Sequence, residues 1–180
     1  DVVDTRKTDI SFHPIEVINV DGSWENSKNI NELNEVINQT VANLDKFKKI
    51  IILAFNASQQ NAIEELILES YPELEKAINE QKLLVRNIEN IQGDEADLLI
   101  VSIAYDENTK LHSTYVAKSG GKNALNVAIS RARDKMIIIK SIYAQDIQNP
   151  SNSEDMAVFK EWLKFLDLSE DEKKNYKYYK

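Results

Sequence analysis

A chain of 180 residues with 42 % hydrophobic content is long enough for one domain with a real core, and two domains would be a squeeze. It has no cysteine and only two histidines, His13 and His112, far apart in sequence. Disulfides, thiolate metal sites, a histidine metal cluster and a Ser-His-Asp triad therefore lack their parts, and no metal site is expected. A net charge of −8 argues against a free-standing, non-specific nucleic-acid binder, whose affinity comes largely from phosphate neutralisation, but not against one wall of a larger channel.

Residues 1–14, DVVDTRKTDISFHP, have no start methionine and no periodicity, and read as a leader from an upstream region of a longer protein. IEVINV (15–20) reads as a strand, followed by a turn at Asp21 and Gly22. Ile30, Leu33, Ile37, Val41 and Leu44 then recur at helical spacing. KIIILAF (49–55) is a continuous apolar run, as expected of a strand buried on both faces. ASQQNAIEELILESY predicts a helix with Ser58 as its N-cap, and PELEKAINE another opened by Pro72.

LLVRNI and DLLIVSIAY (97–105) are the next strands. A polar loop containing KSGGKNA (118–124) follows, basic and glycine-bearing and placed before a helix, where an anion can bind. As a nucleotide signature that stretch is weak, and a loop that turns on its glycines is the plainer reading. NALNVAISRARDKMIIIK (123–140) predicts a helix and then a strand. On a helical wheel Leu125, Ala128, Ile129 and Ala132 form one stripe, with Arg131 and Arg133 flanking it on opposite sides. SEDMAVFKEWLKFL is an amphipathic helix capped by Ser153, and residues 169–180 are a charged tail expected to fray.

Strands alternating with helices imply a parallel sheet covered on both faces, with ligands collecting at the carboxyl ends of its strands, here the loops after Phe55, Ile88, Tyr105 and Lys140. No G-x-x-x-x-G-K-[ST] or G-x-G-x-x-G motif is present. Gln92, Gly93, Glu95 and Asp97 precede an apolar strand, a polar entry whose glycine permits close backbone approach and whose Glu95 can accept from a ribose hydroxyl. From spacing alone the favoured reading is a polar strand entry that merely solubilises a loop. No stretch approaches the ~18 apolar residues of a membrane span and no signal peptide opens the chain, so a cytoplasmic protein with no membrane partner is expected.

NIENIQGDEADLLIVSIAY, a loop of about twenty residues, and NALNVAISRARDKMIIIKSI together resemble motifs V and VI of superfamily 1 helicases, and IIILAFNASQQNAIEELI resembles motif IV. The likeness is to the second RecA-like motor domain of the branch containing the nonsense-mediated-decay helicase and the Dna-two-type helicase-nucleases, and more narrowly to large bacterial helicase-like proteins. It implies a RecA-like three-layer α/β/α fold with a mainly parallel sheet, a P-loop NTPase fold lacking its own P-loop, over residues 15–168. The cofactor implied is ATP with Mg, bound mainly by a first RecA-like domain of the same polypeptide; the other partner implied is single-stranded DNA or RNA.

The resemblance also implies roles. Arg131 would be the arginine finger on the γ-phosphate. Gln59, Gly93 and Glu95 would border the nucleotide. Ser102, Gln92 and the loop after Tyr105 would face the nucleic-acid backbone. Asn126 and Arg133 would brace the motif VI helix against motif V, with Asp97 in support. Three departures stand out: Gln60 sits where several relatives carry a second phosphate-contacting arginine, Asn123 and Ala124 replace a double arginine, and loop 106–121 lacks the usual glycine-phenylalanine pattern. The expected function is ATP-dependent helicase or translocase activity in a full-length protein, with 5′→3′ polarity by analogy and no activity from this chain alone. The alternative is a non-catalytic RecA-like docking domain.

Overall fold

The computed structural model describes residues 14–117, 120–148 and 153–174. Five strands form one all-parallel sheet: β1 (Ile15–Asn19), β2 (Ile50–Ala54), β3 (Leu83–Asn87), β4 (Ala96–Ser102) and β5 (Ala132–Lys140), in the order β1-β5-β4-β2-β3. The helices are α1 (Ile30–Asn43), α2 (Ala57–Ser70), α3 (Pro72–Asn79), α4 (Gly121–Ile129), α5 (Glu154–Leu166) and α6 (Glu170–Lys174).

Alternation along the strands sorts the core onto two faces. Leu98, Ile100, Ile50, Ile52, Ile137 and Ile139 meet Val36 and Ile37 of α1, Ile63 and Ile67 of α2 and Leu74 of α3. Leu99, Val101, Ile51, Leu53 and Ile138 meet Leu125 and Ala128 of α4 and Phe159 and Leu163 of α5. Each buried Ile or Leu contributes roughly 1.5–3 kcal/mol, so the central strands are the stiff frame of the molecule. The result is the three-layer α/β/α arrangement that the resemblance implies.

The connections follow from that sorting. β1 to β2 and β2 to β3 run over the α1–α3 face, whereas β3 to β4 and β4 to β5 run back over the other. Reversing direction and face together keeps one hand for every crossover, as parallel connections require. The β3-to-β4 crossover has no helix; residues 88–95 span it, with Ile88 and Ile91 buried.

Local chemistry moved several boundaries. The tight turn after β1 lies not at Asp21 and Gly22 but at Asn26 and Ser27, at φ +52° and +63°, closing the Glu25–Lys28 bridge. Gly22 has a different use: a Cβ there would collide with the Asn29 side chain and the Ser141 hydroxyl. The cap of α2 is Asn56, whose side chain accepts the Gln59 N–H at 2.8 Å; Ser58, one turn position inside, is exposed. Ser153 caps α5 as expected, accepting from Met156 N–H. Within the charged tail Glu170–Lys174 is helical, with Ser169 and Glu172 bonding each other's backbone N–H, while residues 175–180 lie outside the described ones.

Lys140, closing the isoleucine run of β5, is fully buried. Its ammonium lies 2.6 Å from Asp167, donates to the Ile142 carbonyl at 3.0 Å and sits 4.0 Å above the Tyr143 ring. Burial pushes this lysine below its usual range against the opposing pull of Asp167. The pair fastens the carboxyl end of α5 to the sheet.

The cap assignment is tested by chemical denaturation: Asn56→Ala is expected to lower the unfolding free energy by about 1 kcal/mol, and Ser58→Ala by no more than a few tenths. Equal losses would reverse it.

Candidate functional site

At the amino ends of the strands, α4 stops at Ile129 with Ser130 as its C-cap, and β5 begins at Ala132. The wheel drawn through Arg131, Ala132 and Arg133 therefore does not apply: Arg131 is the turn residue between helix and strand, and Arg133 is the second residue of β5. The helix stops here because the parallel ladder claims the next residues, Ala132 pairing with Ala96 and the Ala96 N–H donating to the Arg131 carbonyl at 3.0 Å. That bond joins the Q-G-D-E entry of β4 directly to the S-R-A-R exit of α4.

The two arginines differ in surroundings. Arg133 pairs with Asp97 at 3.2 Å, and Asp97 also accepts the Lys49 N–H at 3.0 Å, tying the entries of β2, β4 and β5. With Arg133 half exposed the ion pair contributes at most about 1 kcal/mol; its effect is positional. Arg131 has no acidic partner among the described residues. Its Nε donates to the Val127 carbonyl at 3.1 Å and one terminal nitrogen to the Ser130 hydroxyl at 3.1 Å, which orients the guanidinium without neutralising it.

In the segment that leads into β4, Gln92, Gly93 and Glu95 are exposed, while Asp94 is held by Arg86 at 3.2 Å; of these, Glu95 adjoins the Ala96 N–H that bonds the Arg131 carbonyl. Gly93 sits at φ +71° with nothing within 4 Å of a Cβ position, so glycine serves conformation here and not clearance. Asn126 does not brace motif V: it lies on the exposed face of α4, and its side chain makes no hydrogen bond among the described residues.

The carboxyl end is closed by a polar network that sequence reading missed. Glu32, in the first turn of α1, is fully buried. One of its oxygens accepts from the Ser102 hydroxyl at 2.9 Å and the Ala104 N–H at 2.8 Å. The other accepts from Asn29 Nδ2 at 3.1 Å and the Ser141 hydroxyl at 2.5 Å. Burial is the largest influence on Glu32 and raises it to about 7, outweighing the hydrogen bonds from Ser141, Ala104 and Ser102 and the field of Lys140. The available signal was N-I-N-E, an Asn followed three residues later by Glu at a helix start.

Two expected ligand contacts belong to this network instead. Gln59 is fully buried; its carbonyl accepts the Asn29 N–H at 2.9 Å, and its amide donates to the Asn29 carbonyl and the Ser102 hydroxyl, each at 3.2 Å. Both faces of that side chain are engaged within the domain, so it borders no nucleotide here. Ser102 is equally buried and faces no nucleic acid. Gln60 is also engaged, donating to the Val85 carbonyl at 3.0 Å and accepting from Asn87 at 2.6 Å.

Nor does the loop after Tyr105 suit a phosphate backbone. Asp106 and Glu107 join Asp21 and Asp146 around a cavity of about 420 Å³, an arrangement that repels phosphate. The expected anion site before α4 already holds an anion of the chain itself: the Lys122 N–H donates to Asp155 at 2.8 Å, and its ammonium pairs with Glu154 at 2.6 Å. Lys118 and Ser119 lie outside the described residues. No cluster of metal-ligating side chains occurs among the described residues, and no described helix is long and apolar enough to cross a membrane.

A parallel α/β/α sheet whose amino edge joins these two motifs defines a helicase-like domain. The profile of the AAA domain family matches residues 4–143, and the chain belongs to that family. It is 34 % identical over 145 residues, 74 % of its length, to the uncharacterized ATP-dependent helicase MG140 of Mycoplasma genitalium, of which it covers 13 %. It is 33 % identical over 160 residues, 82 % of its length, to the MG140 homolog of Mycoplasma pneumoniae, of which it covers 14 %. The chain thus spans a small part of these curated relatives. Among solved structures, the C-terminal domain of a possible DNA helicase from Lactobacillus plantarum overlaps 73 % of this chain and 81 % of its own, at 16 % identity and a TM-score of 0.45.

Glu32 fixes a pH dependence. Its folded value lies above its unfolded one, so between about pH 4.5 and 7 the folded chain binds the extra proton. Stability from this group is therefore greatest at acid pH and declines as pH rises through that window, by at most about 3 kcal/mol. Unfolding free energies measured across the window are expected to show that decline, and Glu32→Gln to remove it; an unaltered slope in the variant contradicts the assignment.

Proposed function

We propose that this chain is the second motor domain of an ATP-dependent nucleic-acid helicase or translocase, and that Arg131 is its arginine finger. The observation that carries the reading is the unequal treatment of two neighbouring arginines: Arg133 is paired with Asp97, whereas Arg131 is oriented at the edge of the sheet with no acidic partner among the described residues. A guanidinium so placed suits charge developing on a γ-phosphate. Glu95, next to the Ala96 N–H that bonds the Arg131 carbonyl, would border the nucleotide, and the motif V likeness implies the same for Gly93 and a nucleic-acid contact for Gln92.

The residues present fit part of an ATP site and not the whole of it. An arginine and a carboxylate suited to a ribose hydroxyl are here, whereas the chain holds no phosphate-binding loop. ATP with Mg would be held mainly by a first RecA-like domain, and this domain would complete the site from across an interface. In the branch implied by the motifs, single-stranded DNA or RNA is the track, and the cytoplasm the setting.

The docking alternative draws on a specific observation. Gln59 and Gln60, the motif IV pair, are both engaged within the domain, and the second motif IV arginine is absent. A G-x-x-x-x-G-K-[ST] motif upstream in the parent gene supports the motor; its absence supports docking alone.

In the full-length protein, Arg131→Ala is expected to lower nucleic-acid-stimulated ATP hydrolysis by roughly 10³-fold or more while ATP binding stays largely intact. Steady-state ATPase rates with and without single-stranded DNA or RNA check this, and unchanged turnover rules the finger out.

A further inference from the structure

Ala104, just beyond β4, adopts φ +71° although it is not glycine. The Tyr105 N–H donates to the Ile103 carbonyl at 2.8 Å across it, a three-residue turn of the strained, positive-φ kind. Ile103, Ala104 and Tyr105 are all buried, so water does not hold the turn. Both backbone groups of Ala104 are held instead by the start of α1. Its N–H donates to Glu32 at 2.8 Å, and its carbonyl accepts from Asn29 Nδ2 at 2.8 Å.

We propose that Glu32 is a proton-operated latch on this turn, gripping Ala104 when ionised and loosening it when protonated. The ionised carboxylate accepts from four donors at once, namely Ser102, Ala104, Asn29 and Ser141. A protonated carboxyl must turn one oxygen into a donor, which only a serine hydroxyl can accept, and its remaining hydrogen bonds lose their charge assistance. The grip on a conformation that costs roughly 1–2 kcal/mol to hold then weakens.

The charged neighbours leave Glu32 as the titrating member. The end of β5 faces it with Lys140, which is itself paired with Asp167, and Ser141 follows just beyond the strand. β4 contributes Ser102, the segment before α1 contributes Asn29, and Gln59 of α2 closes the network; none of these titrates. Asp21, Asp106, Glu107 and Asp146 line the adjoining cavity, which shares Gly22 and Ser141 with the network. Burial brings Glu32 to about 7, so the two settings exchange near neutrality. What the latch moves is the start of the connection that leads to α4 and Arg131.

Trp24 reports on the turn, because its ring packs edge-on against Tyr105 at 6.2 Å and its backbone N–H donates to the Asp106 carboxylate at 2.9 Å. In the chain carrying Trp162→Phe, His13→Gln and His112→Gln, Trp24 is the sole indole and no histidine titrates. Its emission is expected to shift in one single-proton step between about pH 5.5 and about pH 8.5. The step should vanish in Glu32→Gln and shrink at least several-fold in Ala104→Gly, where glycine holds φ +71° without help. A flat profile in the parent chain, or a step that persists in Ala104→Gly, overturns the latch. Should Glu32→Gln not fold, the Ala104→Gly result decides on its own. The readout needs no nucleotide, so it fails or succeeds independently of the motor assignment.

Discussion

The closed polar network around Glu32 is the constraint on which the carboxyl half of the domain depends. A carboxylate taken out of water is tolerated only when donors surround it, and here they arrive from α1, β4 and β5, with Gln59 of α2 bound to two members. Gln59 bonds both the N–H and the carbonyl of Asn29, acting as a strand would, and so fixes the start of α1 against the sheet. Gly22 is part of the same constraint, since the chain passes over Asn29 and Ser141 with no room for a side chain. An α/β fold that usually opens at its carboxyl edge is closed at these strands by their own side chains.

Closure at one end gives the other its meaning. The amino edge holds Arg131 beside the Glu95–Ala96 entry of β4, and Asp97 uses Arg133 and the Lys49 N–H to lock the strand entries there. The acidic cavity on the opposite side discourages phosphate. A net charge of −8 does not bar a local cationic contact, and at the amino edge Arg131 has no acidic partner among the described residues.

Much of the fold was legible in the sequence. Short apolar runs located all five strands, most plainly the isoleucine runs of β2 and β5 that are buried on both faces, and Pro72 and Ser153 marked helix starts through chemistry that acts within one turn. What escaped reading depended on distant partners. Helical periodicity continues smoothly through Ser130 and Arg131, yet pairing with Ala96 converts the next residue to strand. The burial of Glu32 and Lys140 depends on serines, backbone groups and Asp167 that lie far along the chain, which no local pattern announces. Asn56 and Ser58 are equally good caps by type, and the choice between them was set by where β2 ends. Among the site residues, Arg131 and Glu95 stand accessible at the amino end of the sheet, whereas the side chains of Gln59 and Ser102 are buried and used for the domain's own packing.

The central claim is that Arg131, and not Arg133, faces a nucleotide held by another domain. Binding of ADP–aluminium fluoride, a mimic of the phosphoryl-transfer transition state, to the full-length protein reads this directly. Arg131→Ala is expected to weaken the complex by about 100-fold or more with ADP affinity unchanged, and Arg133→Ala to leave both affinities near those of the parent. Equal affinity for the mimic in the parent and in Arg131→Ala would contradict it.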